Sequence, residues 1–515
     1  MTLAQMLEQA GLRHPAADAV VDGRRRLTYA ELVDQATRLG HAFARLGVGK
    51  GDRVLIVLRN RLEHVLAYWA LQMIGGVPTP AGFRLAAREV RYILDDCEAS
   101  VVLFEAATAD AVLEAVAGHQ ARLVFVGDDA PAGALPFAEL LASGAASVAL
   151  DRQVVEGDLS LILYTSGTTG RPKGVPRTHR NHVAGALAHV IQCGYGWLER
   201  TLGVMPLYHT MGIHSLTSMA VVNGCFVCQP DWSGEGALAL IESERLTALY
   251  LIPTLYYDLV RAPGLVPARV SSVRKLAYAG APMLAPLTRA CVDALRPEVF
   301  VNHYGSTEIY TFSVRPAVDA KPGCAGRAGI HGTLRVVTAS ADRRVGPDET
   351  VSPGEKGEII ASLDSDEAFT GYWKRPDADA RALRDGWYFT GDMGYQDAEG
   401  ELFVSGRVDD MIITGGENVH PVEVEDVLAR HPLVRDVAVV GLPDERWGER
   451  VVAFVVPGIP ALTADTLDQH CRECPDLANF KRPRRIVFVS EIPKTASGKI
   501  LRRLLREGHY TEVHR

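Results

Sequence analysis

Tyr164-Thr165-Ser166-Gly167-Thr168-Thr169-Gly170-Arg171-Pro172-Lys173-Gly174 is a glycine- and hydroxyl-rich stretch that follows the apolar run Leu159 to Tyr164. Its glycines permit positive φ and close backbone approach, so several N–H groups can converge on phosphate oxygens, with the hydroxyls and Lys173 as further donors. A P-loop requires Gly-x-x-x-x-Gly-Lys-Ser/Thr opening a helix, and here Gly170 is followed by Arg171-Pro172-Lys173-Gly174, so that reading fails on spacing. Surface turns seldom place this many hydroxyls between glycines directly after a strand-like run. The stretch reads as a loop that holds a triphosphate.

N-terminal to the loop, helix-like and strand-like patterns alternate. Thr28-Tyr29-Ala30-Glu31 is a capping box opening an amphipathic run that ends near Gly47; Arg53 to Leu58 reads as a buried strand. Arg61 to Ile74 reads as a helix closed by Gly75-Gly76, and Val101 to Phe104 and Leu123 to Val126 as further strands. Such alternation predicts α/β layers. Ala106 to Gln153, rich in alanine, glycine and small polar residues, shows no chemistry and is expected to link subdomains or decorate a surface. Glu358 to Phe403 changes to short strands separated by turns, which predicts a compact β-rich subdomain. From Val422 to Val489 an α+β alternation follows, enough for a small domain, with the boundary placed at Gly406 to Asp410.

The chain has 515 residues, 47% of them hydrophobic, and a net charge of -8, enough for a large core and about three domain-sized units. Lys and Arg are scattered, so no basic stripe for nucleic acid or anionic lipid exists and small anions must be met by local clusters. Met1 to Pro15 has no basic flank followed by an apolar core and is not a secretory signal. Met211 to Pro230 is interrupted by His214, Asn223 and Gly224, well short of a membrane span, and a cytoplasmic protein is expected. Cys225/Cys228 and Cys471/Cys474 form two Cys-x-x-Cys pairs, but they are far apart, one in a buried-strand pattern and the other in a polar helical one. Reduced core cysteines are expected, with no structural zinc.

Beyond the loop come Tyr304-Gly305-Ser306-Thr307-Glu308, Tyr388-Phe389-Thr390-Gly391-Asp392, Gly406-Arg407-Val408-Asp409-Asp410 and Pro493-Lys494-Thr495-Ala496-Ser497-Gly498-Lys499. In this order, and over nearly the whole chain from about Leu27 to about Arg503, these motifs resemble those of the adenylate-forming superfamily of acyl-CoA synthetases, peptide-synthetase adenylation domains and luciferases. The resemblance implies a large N-terminal domain, residues 1–407, made of two α/β layered subdomains and a small β-rich one. A small mobile α+β C-terminal domain, residues 408–515, would carry the catalytic lysine.

It also implies the chemistry: an acid and ATP give an acyl-adenylate and pyrophosphate, then CoA gives a thioester and AMP, with Mg²⁺ at the phosphates. Catalytic positions carried over are Lys499, Thr307, Glu308 (also the Mg²⁺ ligand) and His209. Nucleotide positions are Thr165, Ser166, Gly167, Thr168, Thr169, Lys173, Gly280, Ala281, Asn302, His303, Tyr304 (stacking on adenine), Gly305, Asp392 (ribose) and Arg407. Asp409 is the hinge about which a second face, Gly415-Gly416-Glu417-Asn418, replaces Lys499 for the second half-reaction.

Met205-Pro206-Leu207-Tyr208-His209-Thr210-Met211-Gly212, Gly406 to Pro421 and Phe480-Lys481-Arg482-Pro483 look closest to aryl-CoA ligases of the chlorobenzoate and benzoate type. The acyl pocket would then comprise His209, Thr210, Ala279, His303, Gly305 and Tyr310. CoA would meet Arg84, Arg88, Gly415, Gly416, Trp447, Phe480, Lys481 and Arg482. His303 and Tyr310 depart from the apolar halobenzoate pattern, favouring a compact acid bearing a polar atom, of the hydroxybenzoate or furoate type. Medium-chain aliphatic acids and a carrier-protein acceptor remain alternatives, as do a luciferase-like oxygenase and a catalytically dead scaffold, the last opposed by Lys173, Glu308, Asp392, Arg407 and Lys499 together. The oligomeric state stays open, a homodimer being one option.

Overall fold

A computed structural model describes residues 1–144, 153–165, 172–283, 285–340, 343–414, 417–475, 477–495 and 498–513. Local rules decide its first elements. Thr2 and Thr28 each close a capping box, opening the helices Leu3–Arg13 and Tyr29–Arg45, and Gly75 in the left-handed region (φ 72°) ends the helix Leu62–Ile74. Strands buried on both faces are almost wholly apolar, as Cys225–Cys228 and Ala248–Leu251 are, because parallel sheets are covered by helices on either side.

Two layered α/β sheets result. The first is parallel and orders Val77–Pro80, Arg53–Val57, Val101–Glu105, Arg122–Val126 and Ala134–Pro136. The second runs parallel through Asp18–Asp22, Cys225–Cys228, Arg200–Gly203, Ala248–Leu251, Lys275–Tyr278 and Val299–Tyr304. It then turns antiparallel at Ser313–Pro316 and Cys324–Ala328. The β-rich region is not a separate sheet: Cys324–Ala328 pairs with Leu402–Arg407, which pairs with Trp387–Gln396, so its strands extend the large sheet. Leu159–Thr165 and Lys173–Thr178 form a hairpin of their own.

Ala106 to Gln153 corrects the expectation of a linker or surface decoration. It supplies the helices Ala109–Ala115 and Phe137–Ser143 and two strands of the first sheet, with Val112, Val124 and Phe125 buried. Alanine-rich composition hid it, since alanine packs at sheet–helix contacts without an obvious apolar stripe.

After Val408–Asp410, a single 3₁₀ turn, the chain builds another five-stranded sheet from Ile412–Thr414, Glu417–Val419, Val434–Asp444, Gly448–Pro457 and Arg485–Phe488. Helices Pro421–Ala429 and Ala464–Glu473 accompany it, and its cores contain only residues from Ile412 onward. Cys225 and Cys228 project into different cores, as residues three apart on a strand must, and Cys471 lies in a third. No helix among the described residues is long and apolar enough to cross a membrane.

Candidate active site

The hairpin positions the phosphate-loop ends. Thr165 pairs with Lys173 across it; Ser166, Gly167, Thr168 and Thr169 lie outside the described residues. Lys173 sets its ammonium 4.0 Å from the centre of the Tyr372 ring, and the Tyr372 hydroxyl donates to Glu308 Oε1 at 2.7 Å. Partial burial lowers the Lys173 pKa from the ordinary lysine value, the nearby Glu308 opposing it.

The Tyr304–Glu308 turn follows from local chemistry. A Cβ on Gly305 would stand 1.8 Å from the Tyr310 carbonyl oxygen, so only glycine fits, and Ser306 Oγ accepts from the N–H groups of Glu308 and Ile309. The sequence reading missed what holds this turn from below. Arg177, on the hairpin and fully buried, donates to the carbonyls of Thr307 (2.5 Å), Glu308 (3.2 Å) and Glu367 (2.7 Å). Burial depresses its pKa to about 10 and raises that of Glu367 to about 7. No local pattern marks Arg177 or Tyr372; their partners lie far along the chain.

Strand alternation divides Val299–Tyr304 between two faces. Asn302 and Tyr304 point one way: Asn302 Nδ2 donates to the Cys324 carbonyl at 3.0 Å, and the Tyr304 hydroxyl donates to Asp392 Oδ2 at 2.6 Å. The Tyr304 ring itself lies 5.1 Å from Phe312. Asp392 and Arg407 are register partners on adjacent strands, and Arg407 Nη1 donates to Asp392 Oδ1 (2.7 Å) and to the Thr390 carbonyl (2.9 Å). Gly391, at φ 71°, leaves room for that guanidinium. Gly280 and Ala281 follow the neighbouring strand Lys275–Tyr278.

Val301 and His303 face the opposite way, into a buried group that includes Ala279, Tyr250, Ile252, Met211 and Tyr310. Tyr310 is hydrogen-bonded to His189 Nδ1 (2.8 Å) and Tyr250 (3.2 Å), and its ring stacks on His214 at 3.6 Å. Among the described residues neither ring nitrogen of the fully buried His214 has a hydrogen-bond partner; nor do His209 Nε2 and Thr210 Oγ1. Burial holds His209 and His303 at about 4 and takes His189 and His214 well below the ordinary histidine value, so these imidazoles are neutral near pH 7. His189, Cys193 and His303 are close enough to share a metal ion, but both nitrogens of His189 are already hydrogen-bonded, to Tyr310 and Tyr195.

Lys499 arrives on a tight turn in which Thr495 N–H donates to the Lys499 carbonyl (2.8 Å) and Lys499 N–H to Thr495 Oγ1 (3.1 Å). A Cβ on Gly498 would lie 3.2 Å from Ile252, so this turn touches the buried group just described. The Lys499 pKa is lowered by desolvation and by Arg407, against the attraction of Asp392, Asp410 and Glu308, although the residue keeps exposed surface. Lys499 thus feels the charges of the Asp392–Arg407 pair, while its turn meets the buried group at Ile252.

The remaining expected positions are spread over the surface. Arg84, against the Phe83 ring at 4.8 Å, and Arg88 are exposed on the first α/β layer. Trp447 and Phe480 are exposed on the last sheet's lobe, where Lys481 pairs with Glu423 and Arg482 with Asp468. Gly415 and Gly416 lie outside the described residues, as does the side chain of Asp409, whose backbone forms part of the 3₁₀ turn. A carboxylate at Glu308, beside a phosphate-loop lysine, is the hard oxygen donor Mg²⁺ takes while filling its remaining positions with water and phosphate oxygen, so the residues fit that ion.

Residues 7–373 match the AMP-binding enzyme family and residues 423–499 the AMP-binding enzyme C-terminal domain. The chain belongs to the AMP-binding enzyme family, and within it to the acid–thiol ligases. It is 35% identical over 513 residues to a 4-chlorobenzoate–CoA ligase of Arthrobacter sp., covering 98% of this chain and 95% of that one. It is 32% identical to a long-chain-fatty-acid–CoA ligase of Mycobacterium tuberculosis, covering 99% and 98%. Among solved structures, the Bacillus subtilis o-succinylbenzoate-CoA synthetase in complex with ATP and magnesium superposes with a TM-score of 0.84 at 27% identity, covering 97% of this chain and 99% of that one.

Proposed function

We propose that this acid–thiol ligase activates a small aryl or heteroaryl carboxylic acid bearing a polar atom, of the benzoate, hydroxybenzoate or furoate type, and transfers its acyl group to free CoA. The observation that carries the reading is the buried group around His303 and Tyr310. It brings neutral imidazoles and phenols together among apolar side chains, which suits a small ring bearing a polar atom.

In the first half-reaction a carboxylate oxygen of the acid attacks the α-phosphorus of ATP, and the bond to the bridging oxygen of pyrophosphate breaks. Lys499 spans the acid's carboxylate and the α-phosphate, offsetting charge that spreads in the transition state without itself exchanging a proton. Thr307, Lys173 and the phosphate loop hold the β- and γ-phosphates; Asp392 accepts from the ribose hydroxyls and Arg407 bridges ribose and phosphate. Tyr304, with Gly280, Ala281 and Asn302, lines the adenine. When bound at Glu308, magnesium supplies positive charge to the phosphates. His209, neutral, borders the acyl group.

In the second half-reaction the CoA sulfur attacks the acyl carbon, its proton passes to solvent, and the bond to the AMP phosphate oxygen breaks. Residues 408–515 move as a body about Asp409 relative to residues 1–407, withdrawing Lys499 and presenting Gly415 and Gly416 to the pantetheine channel. Arg84, Arg88, Trp447, Phe480, Lys481 and Arg482 then receive the CoA nucleotide.

An acid panel scored by pyrophosphate release, with mass detection of the thioester, tests the reading. Turnover of benzoate, hydroxybenzoates and furoate is expected. Turnover confined to medium-chain alkanoates would replace the aryl assignment, and turnover only with a phosphopantetheinylated carrier protein would replace free CoA.

A further inference from the structure

Gln192 is the last residue of the helix His179–Gln192, and its side chain is pinned at both ends. Its Oε1 accepts from the Ile330 N–H at 3.2 Å. A backbone N–H can only donate, so this contact orients the amide and leaves Nε2 to donate to His303 Nε2 at 3.0 Å, with Thr311 Oγ1 3.4 Å away. His303 is neutral and accepts, which places its proton on Nδ1.

These contacts form a continuous chain. The Lys499 turn touches Ile252 through Gly498. Tyr250, in the same buried group as Ile252, has its ring 6.1 Å from that of His303. His303, 2% exposed, meets Gln192, and Gln192 meets Ile330, which is 51% exposed. One side chain therefore separates the buried acyl side from an apolar outer surface.

We propose that Gln192 is the end wall of the acyl pocket and sets the length of acid the enzyme accepts. The inference rests on the reading above that the acid lies along His303 and Tyr310. An acid whose distal end stops short of Gln192 fits under the Gln192–His303 hydrogen bond; a longer one must break two hydrogen bonds and displace the amide. Without that side chain the pocket would open toward the half-exposed Ile330, which would cover an apolar extension.

The test compares wild type, Gln192→Ala and Gln192→Leu in pyrophosphate release with two acid series of increasing length, 4-alkylbenzoates and linear alkanoates, after thermal melting has shown which variants fold. Gln192→Ala is expected to move the length limit outward, with kcat/KM for the first excluded acid rising roughly tenfold or more relative to the shortest acid of the series. Gln192→Leu keeps the bulk and is expected to keep the wild-type limit. A folded Gln192→Ala with an unchanged limit, or with equal loss on every acid, overturns the proposal, as does a Gln192→Leu limit that moves as far as that of Gln192→Ala. If wild type turns over alkanoates alone, the aryl reading fails, while the alkanoate series still decides the role of Gln192.

Discussion

Arg177 donates to the carbonyl of Thr307 at 2.5 Å from a site buried beneath the Tyr304–Glu308 turn. The same guanidinium reaches the carbonyls of Glu308 and Glu367, so one side chain on the hairpin sets the height of the turn carrying two catalytic candidates.

Arg177→Met is expected to leave three carbonyls without their charged donor. Loss of such hydrogen bonds costs about 3 kcal/mol, read as a lower denaturant midpoint at unchanged slope. Adenylation should fall in the same variant, with the KM for ATP rising, because Thr307 and Glu308 lose their support. An adenylation rate equal to wild type would mean that the turn holds itself.

Lys499→Ala should slow adenylation by roughly 10²- to 10³-fold in single turnover, the loss typical of one electrostatic donor. Thioester formation from supplied acyl-adenylate should be nearly unaffected. The wild-type lysine must be protonated to act, and desolvation together with Arg407 lowers its pKa. Adenylation should therefore decline with rising pH sooner than an ordinary lysine would allow. Stopped-flow or quenched-flow rates across the alkaline range check this.

Glu367 is fully buried, and its carboxyl pKa is raised to about 7 from 4.5 by burial, against the opposing Arg177 and Thr311 contacts. The folded state holds this proton where the unfolded chain has lost it. The stability it contributes is complete below about pH 4.5, declines as pH rises toward 7 and is gone above that. Glu367→Gln should flatten this part of the stability–pH curve. Chemical denaturation of both proteins at several pH values gives the comparison, and parallel curves would remove Glu367 as the cause.

Asp409→Pro restricts φ within the Val408–Asp410 turn. If residues 408–515 rotate there, thioester formation should drop far more than adenylation. Equal behaviour of the two half-reactions, measured separately with acyl-adenylate supplied for the second, would place the rotation elsewhere.

Much of the architecture was readable along the chain because it is set by neighbours in sequence. Capping boxes at Thr28 and apolar runs such as Arg53–Val57 announce themselves within a few residues, and the five motifs are contiguous enough to indicate adenylate-forming chemistry and the lysine expected to serve it. In Ala106–Gln153 the strand at Leu123 to Val126 is legible, but the short helices Ala109–Ala115 and Phe137–Ser143 are not, because so few residues carry no clear periodic stripe.

Packing between distant segments decided the rest. Arg177 meets residues 130 and more positions away, Gln192 meets His303 across 111, and Tyr304 meets Asp392 across 88. Such pairs leave no periodic trace, since each partner looks locally like an ordinary polar residue. Folding takes them out of water together and, in burying them, makes each the other's obligatory hydrogen-bond partner. The amino-acid order thus determined the elements and the reactive groups, and the tertiary structure determined which turn Arg177 supports and which residues Gln192 joins.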